Sequence, residues 1–132
     1  MAGTIVADTL QDGAGNSTAM DNAIYGSAKA WVNWNGASGA SPTIYAAYNV
    51  SSVTRTGTGA YTLAFTNALV DANYAPVSGC NTDANNGGVV KLSGSPSGAL
   101  YGKSTTALSI VACNSNNGSA SDTNQLSIAI FR

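Results

Sequence analysis

Charge is scarce in this sequence. Only 8% of the 132 residues are charged, against roughly 25% in a typical globular protein. Histidine and glutamate are absent, so the chain offers neither histidine acid–base catalysis nor histidine metal ligation. The basic residues are scattered and the formal net charge is −1, which argues against a nucleic-acid partner, because such proteins carry a basic footprint.

Long apolar runs are also missing. No run approaches the ~20 residues that span a bilayer, and the N-terminus lacks the basic and apolar regions of a signal peptide. We therefore expect no membrane insertion. Glutamate is absent and lysine is infrequent, and because both are strong helix formers their scarcity disfavours a helical protein. Glycine, serine, threonine, asparagine and alanine dominate instead, as they do in extracellular β proteins, adhesins and virion components.

Two segments of different character divide the chain. Its length allows one domain, or one domain with an arm. Residues 1–27 are mostly small and polar, have no clear period, and are predicted to form an extended N-terminal arm. Alone, this arm cannot bury enough apolar surface to offset its ordering entropy. It therefore either stays loose or is ordered against a partner surface or a second copy, with Ile5, Val6 and Leu10 as candidate anchoring and assembly residues.

Residues 28–132 are predicted to form a β domain that begins with the tryptophan-containing segment 28–36. Alternation along this strand places two sets of residues on opposite faces: Ala30, Val32 and Trp34 on one, and Lys29, Trp31 and Asn33 on the other. The clearest hairpin follows, with glycines at 57 and 59 supplying the positive φ angles of a three-residue tip. Its second strand directs Tyr61, Leu63 and Phe65 towards the core.

Several other short segments have the composition of strands. In the segment 43–50, Ile44, Ala46 and Tyr48 are predicted to share a face with Val50. Pro76 places its strand, residues 74–80, at a sheet edge or a bulge. Further strands are predicted at 89–92, 106–113 and 126–132. Seven or eight short strands separated by turn residues predict an all-β fold, either a β-sandwich or a jelly-roll-like domain.

The two cysteines, Cys80 and Cys113, each end a predicted strand. They could lie side by side and form one disulfide. The favoured alternative is two small buried thiols, because two cysteines do not make a disulfide framework.

Candidate chemistry is sparse. The segment 83–87 (Asp-Ala-Asn-Asn-Gly) has oxygen ligands for calcium, but it lacks a bidentate glutamate, and a turn rich in asparagine is favoured. Lys103 and Ser104 are neighbours, and without histidine a serine nucleophile would need such a lysine. No nucleophile-elbow pattern surrounds any serine, so we expect no enzyme activity and no cofactor.

A carbohydrate-binding module is the alternative function. Aromatic faces stack on sugar rings, and the aromatic candidates for such a platform are Trp31, Trp34, Tyr45, Tyr48, Tyr61, Tyr74 and Tyr101. Most of these are predicted to be core or interface residues, and Tyr101, beside a turn, is the one expected to be exposed. Two amide-rich loops could bind sugar hydroxyls through Asn85, Asn86, Asn116 and Asn117, although plain solvated turns are favoured there.

Part of the chain resembles a module of tailed-bacteriophage virion proteins that is usually found in tail-fibre and related surface-fibre proteins. The resemblance is carried by four segments in order: AKAWVNWNG (28–36), YNVSSV (48–53), GTGAYTLAF (57–65) and DANY (71–74). The early segments TIVADTL (4–10) and GAG (13–15) also resemble the start of small fibre proteins of that group. The residues after Cys80 carry no such resemblance.

The resemblance implies a homotrimeric structural protein of the virion surface, assembled in the host cytoplasm, with no catalytic residues to carry over. Its implied partners are copies of itself, phage capsid or tail proteins, and a host-surface glycan. Fibres of this kind are often longer, with a shaft that this chain does not contain. That departure favours a short head fibre or a capsid decoration (cement) protein over a full tail fibre, with residues 1–27 as the anchor and residues 28–132 exposed.

Overall fold

The structure is a computed structural model that describes residues 3, 7–37, 39, 41–81, 88–92, 102–115 and 117–132. Within these residues the elements follow one another in this order: β1 (Thr9–Gln11), β2 (Ser17–Ala19), α1 (Met20–Gly26), β3 (Ala28–Asn35), β4 (Thr43–Tyr48), β5 (Val50–Gly57), β6 (Ala60–Phe65), β7 (Ala75–Asn81), β8 (Gly88–Leu92), β9 (Ala107–Asn114) and β10 (Gln125–Phe131).

Eight of the strands form two four-stranded antiparallel sheets with the orders β4-β3-β10-β7 and β5-β6-β9-β8. Side chains from both sheets form a single buried core. The prediction of an all-β, sandwich-like domain is therefore confirmed. The first and last strands of the sandwich, β3 and β10, are neighbours in the middle of the first sheet, which ties the start of the domain to its end.

The tryptophan-containing strand β3 has the predicted alternation. Ala30, Val32 and Trp34 are buried, whereas Trp31 faces solvent. The Trp34 ring meets the ring of Tyr61 on β6 edge to face, with the ring centroids 5.9 Å apart. Because β3 and β6 belong to different sheets, this aromatic pair joins the two halves of the core.

The hairpin β5–β6 buries its aromatic face as predicted, but its tip is tighter than the sequence suggested. Tyr61, Leu63 and Phe65 all lie in the core. Gly57 pairs with Ala60 as the last ladder pair, which leaves two residues at the tip. Of Gly57 and Gly59, only Gly59 has a positive φ, of +65°. The prediction that both glycines supply a positive φ is therefore wrong for Gly57.

Strand β4 departs from the predicted alternation because of a β-bulge. Asn33 on β3 pairs with Ala46, but the next residue, Trp34, pairs with Ile44. Tyr45 is therefore an extra residue in β4. A bulge reverses the alternation beyond it. Tyr48 consequently pairs with the outward-facing Trp31 and is exposed, so it does not share a face with the partly buried Ile44.

Proline explains the outer position of β7. Among the described strands β7 pairs with β10 alone, and Pro76 lies opposite Ile130 in that ladder. A proline cannot donate a ladder hydrogen bond, so it is tolerated where one side of the strand has no partner. Of the two predicted alternatives, an edge or a bulge, the structure has the edge.

The arm contains more local structure than the sequence predicted. Strands β1 and β2 form a small antiparallel hairpin, and the seven-residue helix α1 follows it. The hairpin tip is fixed by Asp12, whose carboxylate accepts hydrogen bonds of 2.9 Å from the backbone N–H groups of Ala14 and Asn16 and from the Asn16 amide. These bonds, led by that from the Asn16 side chain, lower the pKa of Asp12. Such aspartate-centred turns leave no period in a sequence.

Both cysteines are free thiols. Cys113 is buried on β9, and Cys80 is half-buried on β7. Burial, with a smaller contribution from Cys113, raises the pKa of the Cys80 thiol. The buried-thiol alternative of the sequence therefore describes this structure, and a raised pKa makes Cys80 a poor nucleophile at neutral pH.

Candidate functional site

Most of the sequence-predicted site residues lie outside the described residues. These are Tyr101, Asn85, Asn86, Asn116, Ile5 and Val6, together with the segment 83–87 considered for calcium. Asn117 is described and exposed, and its Oδ1 accepts a 3.0 Å hydrogen bond from the N–H of Ser119. That contact is typical of an asparagine-stabilised turn, which was the favoured alternative for this residue. Leu10 is exposed on β1.

The outward face of the first sheet carries an apolar row that crosses all four strands. The ladders place Tyr48, Trp31, Ala129 and Val77 side by side on β4, β3, β10 and β7. Trp31 is 39% exposed, Tyr48 58% and Val77 59%. Large apolar side chains that adjoin one another on a surface are a common mark of a binding site. We call this row, with the strand positions beside it, the aromatic face.

A shallow groove of about 540 Å³ runs along the aromatic face between Trp31 and Val77. Its outward-facing floor is made of small residues, Ala129, Ser127 and Gly79, which follow from the registers of β10 and β7. Small residues let another chain or a flat ring approach the backbone closely. The groove is therefore a shallow, mostly apolar surface beside uncharged hydrogen-bonding groups.

The second sheet presents a different outward face. Thr54, Thr62 and Ser109 are ladder partners across β5, β6 and β9. The hydroxyls of Thr62 and Ser109 lie 3.0 Å apart and bond to each other. This surface carries small hydroxyl side chains where the first sheet carries rings, so the two sides of the sandwich are not equivalent.

A charged cluster joins the hairpin tip to the segment before β10. Arg55 donates to both carboxylate oxygens of Asp122, at 3.0 and 2.8 Å. The N–H of Gly59 lies 2.8 Å and the hydroxyl of Tyr61 2.9 Å from Oδ1 of the same carboxylate. Both carboxylate oxygens of Asp122 therefore already accept hydrogen bonds. The cluster stabilises the fold, and the Asp122 carboxylate is not free to act as a general base.

These contacts shift the ionisation of both acidic partners. The bidentate hydrogen bond from Arg55 is the largest cause that lowers the pKa of Asp122 from its ordinary 3.8 to about 2. Burial is the main cause that raises the pKa of Tyr61 far above its usual range, and the Asp122 charge adds to it. Asp122 is therefore ionised, and Tyr61 protonated, at neutral pH.

Acid is expected to weaken the fold through Asp122. Because its pKa is lower in the folded protein, its contribution is complete above about pH 4 and is lost as the pH falls towards 2. The shift corresponds to roughly 2 kcal/mol at most, since the pair is partly exposed. Urea unfolding of the wild type and of Asp122→Asn should show the wild type more stable at pH 6 and the difference shrinking at pH 2.5. A difference that does not change with pH would contradict this assignment.

Lys103 and Ser104, the nominal lysine and serine pair, each make other contacts. The Lys103 ammonium donates to the carbonyl oxygen of Tyr74 at 3.2 Å and lies 5.4 Å from the centre of that ring. The Ser104 Oγ accepts a 2.9 Å hydrogen bond from the N–H of Ala107. These partners account for both side chains as parts of a turn before β9.

No group of three or more metal-ligating side chains lies close enough to hold a metal ion within the part of the chain that the structure describes. In the same part, no helix is both long and apolar enough to cross a bilayer. Comparison of the chain with protein-family models, with curated proteins and with solved structures found no match.

The sequence contained only part of the signal for this site. Trp31 was predicted to face away from Trp34, and both Trp31 and Tyr48 belonged to the set of platform aromatics. The pairing of Trp31 with Tyr48 depends on the bulge in β4. The alternation of residues in the sequence does not reveal such a bulge. Val77 and the small residues of the groove were not predicted, because their role depends on the register between β7 and β10.

Proposed function

We propose that this chain is a structural component of a tailed-phage particle, a homotrimeric surface fibre or capsid decoration protein. The arm, residues 1–27, anchors it, and the sandwich, residues 28–132, is displayed at the virion surface. The sequence resemblance of residues 28–77 to phage surface-fibre modules supports the proposal. So does the division of the chain into a well-packed sandwich and a separate arm.

The observation that carries the proposal is the uncovered state of the arm. Leu10 is 48% exposed and Ile24 is 49% exposed. Helix α1 packs on β1 and β2. A lone two-stranded hairpin and a seven-residue helix are marginal in water. An arm of this kind is stabilised by assembly on another surface, which is what an anchor requires.

Deletion of residues 2–23 is expected to abolish attachment to the particle while the sandwich remains folded. The measurement is co-sedimentation of the purified chain with phage particles that lack it, with the full chain as the positive control. The melting temperature of the truncated chain shows whether its sandwich is intact. Unchanged attachment of a folded, truncated chain would contradict the anchoring role of the arm.

Carbohydrate binding is a second candidate, and the pairing of Trp31 with Tyr48 on the aromatic face favours it. Two adjacent exposed rings above uncharged amides and hydroxyls form the type of platform on which sugar rings stack. Glycan-array binding by the full chain should then be lost in Trp31→Ser and kept in Trp31→Phe, which retains a ring. Equal binding by both variants, or none by the wild type, would exclude this platform.

A further inference from the structure

We infer that the aromatic face receives the N-terminal arm of a second copy of this chain, so that copies join head to tail. This inference rests on the homotrimer of the proposed function and names the surface that builds it. Leu10 and Ile24 on the arm, like the large side chains of the aromatic face, are apolar and exposed within one copy. Joining them between copies covers both.

The apolar complementarity is specific to one side of the sandwich. Trp31, Tyr48 and Val77 are exposed on the first sheet. The second sheet offers the hydroxyl row of Thr62 and Ser109. Burial of a large apolar side chain against other apolar groups is favourable, so Leu10 and Ile24 gain more on the first sheet than on the second.

Charge favours the same arrangement. The arm contains three aspartates and no basic residue, a formal charge of −3, whereas residues 28–132 contain five basic residues and three aspartates, a formal charge of +2. Within β3, β4, β7 and β10, all of them described, Lys29 is the only charged residue. An acidic arm on a face whose single charge is positive avoids the like-charge repulsion that two identical faces would meet.

Chain geometry explains why the arm reaches a neighbour. Only Ser27 separates the end of α1 from the start of β3. The Lys29 ammonium also donates to the Ile24 carbonyl oxygen and to the Ser27 hydroxyl, which holds this junction. The arm therefore leaves the sandwich at one end of β3, and the one-residue connection is too short for it to fold back over the sheet of its own copy.

An arm-to-face contact joins two different surfaces, so it is heterologous. Such contacts close into a ring when the rotation between copies allows it. Every copy in the ring then gives one arm and receives one. A cyclic homotrimer of this kind needs no additional interface, and the second sheet stays exposed on each copy.

The decisive experiment mixes two defective variants. The arm variant, Leu10→Ser with Ile24→Ser, keeps a working face, and the face variant, Trp31→Ser with Val77→Ser, keeps a working arm. We expect wild type at three times the 13.2 kDa chain mass by sedimentation equilibrium, and each variant alone at the chain mass. An equimolar mixture should form a complex of twice the chain mass and no larger, because one working arm meets one working face.

All four substituted side chains are exposed, so each variant alone should still fold and show a single cooperative thermal transition. Val70→Ser, which removes an exposed apolar side chain outside these elements, is the matched control and should keep the wild-type mass. The inference is overturned if the arm variant alone keeps the wild-type mass, because the faces would then meet each other. It is also overturned if the face variant keeps that mass, if the mixture forms no complex, or if the wild type stays at the chain mass.

Particle attachment distinguishes this inference from the proposed function. If the chain attaches to phage particles through its arm but fails the mixing experiment, the virion assignment stands and the arm-to-face interface is contradicted. If the chain passes the mixing experiment but does not attach to particles, the interface stands and the virion assignment is contradicted.

Discussion

Replacing Trp34 with alanine is expected to lower the free energy of unfolding by roughly 3–5 kcal/mol, the usual cost of removing a large buried aromatic. The Trp34 side chain is fully buried and contacts Tyr61 across the two sheets. Its removal leaves a cavity where the halves of the core meet. Urea unfolding followed by circular dichroism measures the loss.

The matched control lies three residues away on the same strand. Trp31→Ala removes the same side chain from the outward face and should change the stability of an isolated copy by less than about 1 kcal/mol. It should instead weaken self-association. Similar losses of stability for the two variants would contradict the inward and outward assignment of β3.

Gly59→Ala is expected to lower the free energy of unfolding by about 2–4 kcal/mol, from the strain of a left-handed backbone and from overpacking. Gly59 has a φ of +65°. An added Cβ would lie 2.5 Å from the carbonyl oxygen of Ala112 and 2.7 Å from the nitrogen of Ser121. Both are backbone atoms held by their own hydrogen bonds, so neither can move aside easily.

Gly57→Ala is the matched control in the same hairpin. The nearest atom to an added Cβ there is 3.8 Å away, at the Cβ of Ala60, and the φ of Gly57 is not positive. We therefore expect little change in the urea midpoint of this variant. Equal destabilisation by the two alanines would contradict the two-residue tip and support the symmetrical tip that the sequence suggested.

Local alternation made much of the sandwich predictable. The two faces of β3 and the inward set of β6 follow directly from a side-chain period of two. The missing N–H of Pro76 limits its strand to an edge or a bulge, and β7 lies at the edge. In each case the property belongs to the residue itself or to its immediate neighbours, so no knowledge of the partner strand was needed.

Non-local pairing and local hydrogen bonding account for what the sequence did not reveal. The outward direction of Tyr48 depends on a bulge opposite β3. The hairpin of the arm depends on the carboxylate of Asp12. The ion pair of Arg55 with Asp122 joins residues that are 67 positions apart. Neither composition nor period contains such information, and the aromatic face exists only once the ladders of four strands are set.

The central claim, that this chain is displayed on a phage particle, is tested most directly by immunogold labelling of intact virions with an antibody to residues 81–132. Antibody absorbed with the purified chain is the control. The proposal predicts gold on intact particles, over the head for a decoration protein or head fibre and at the tail for a tail fibre. Intact particles without gold would contradict it.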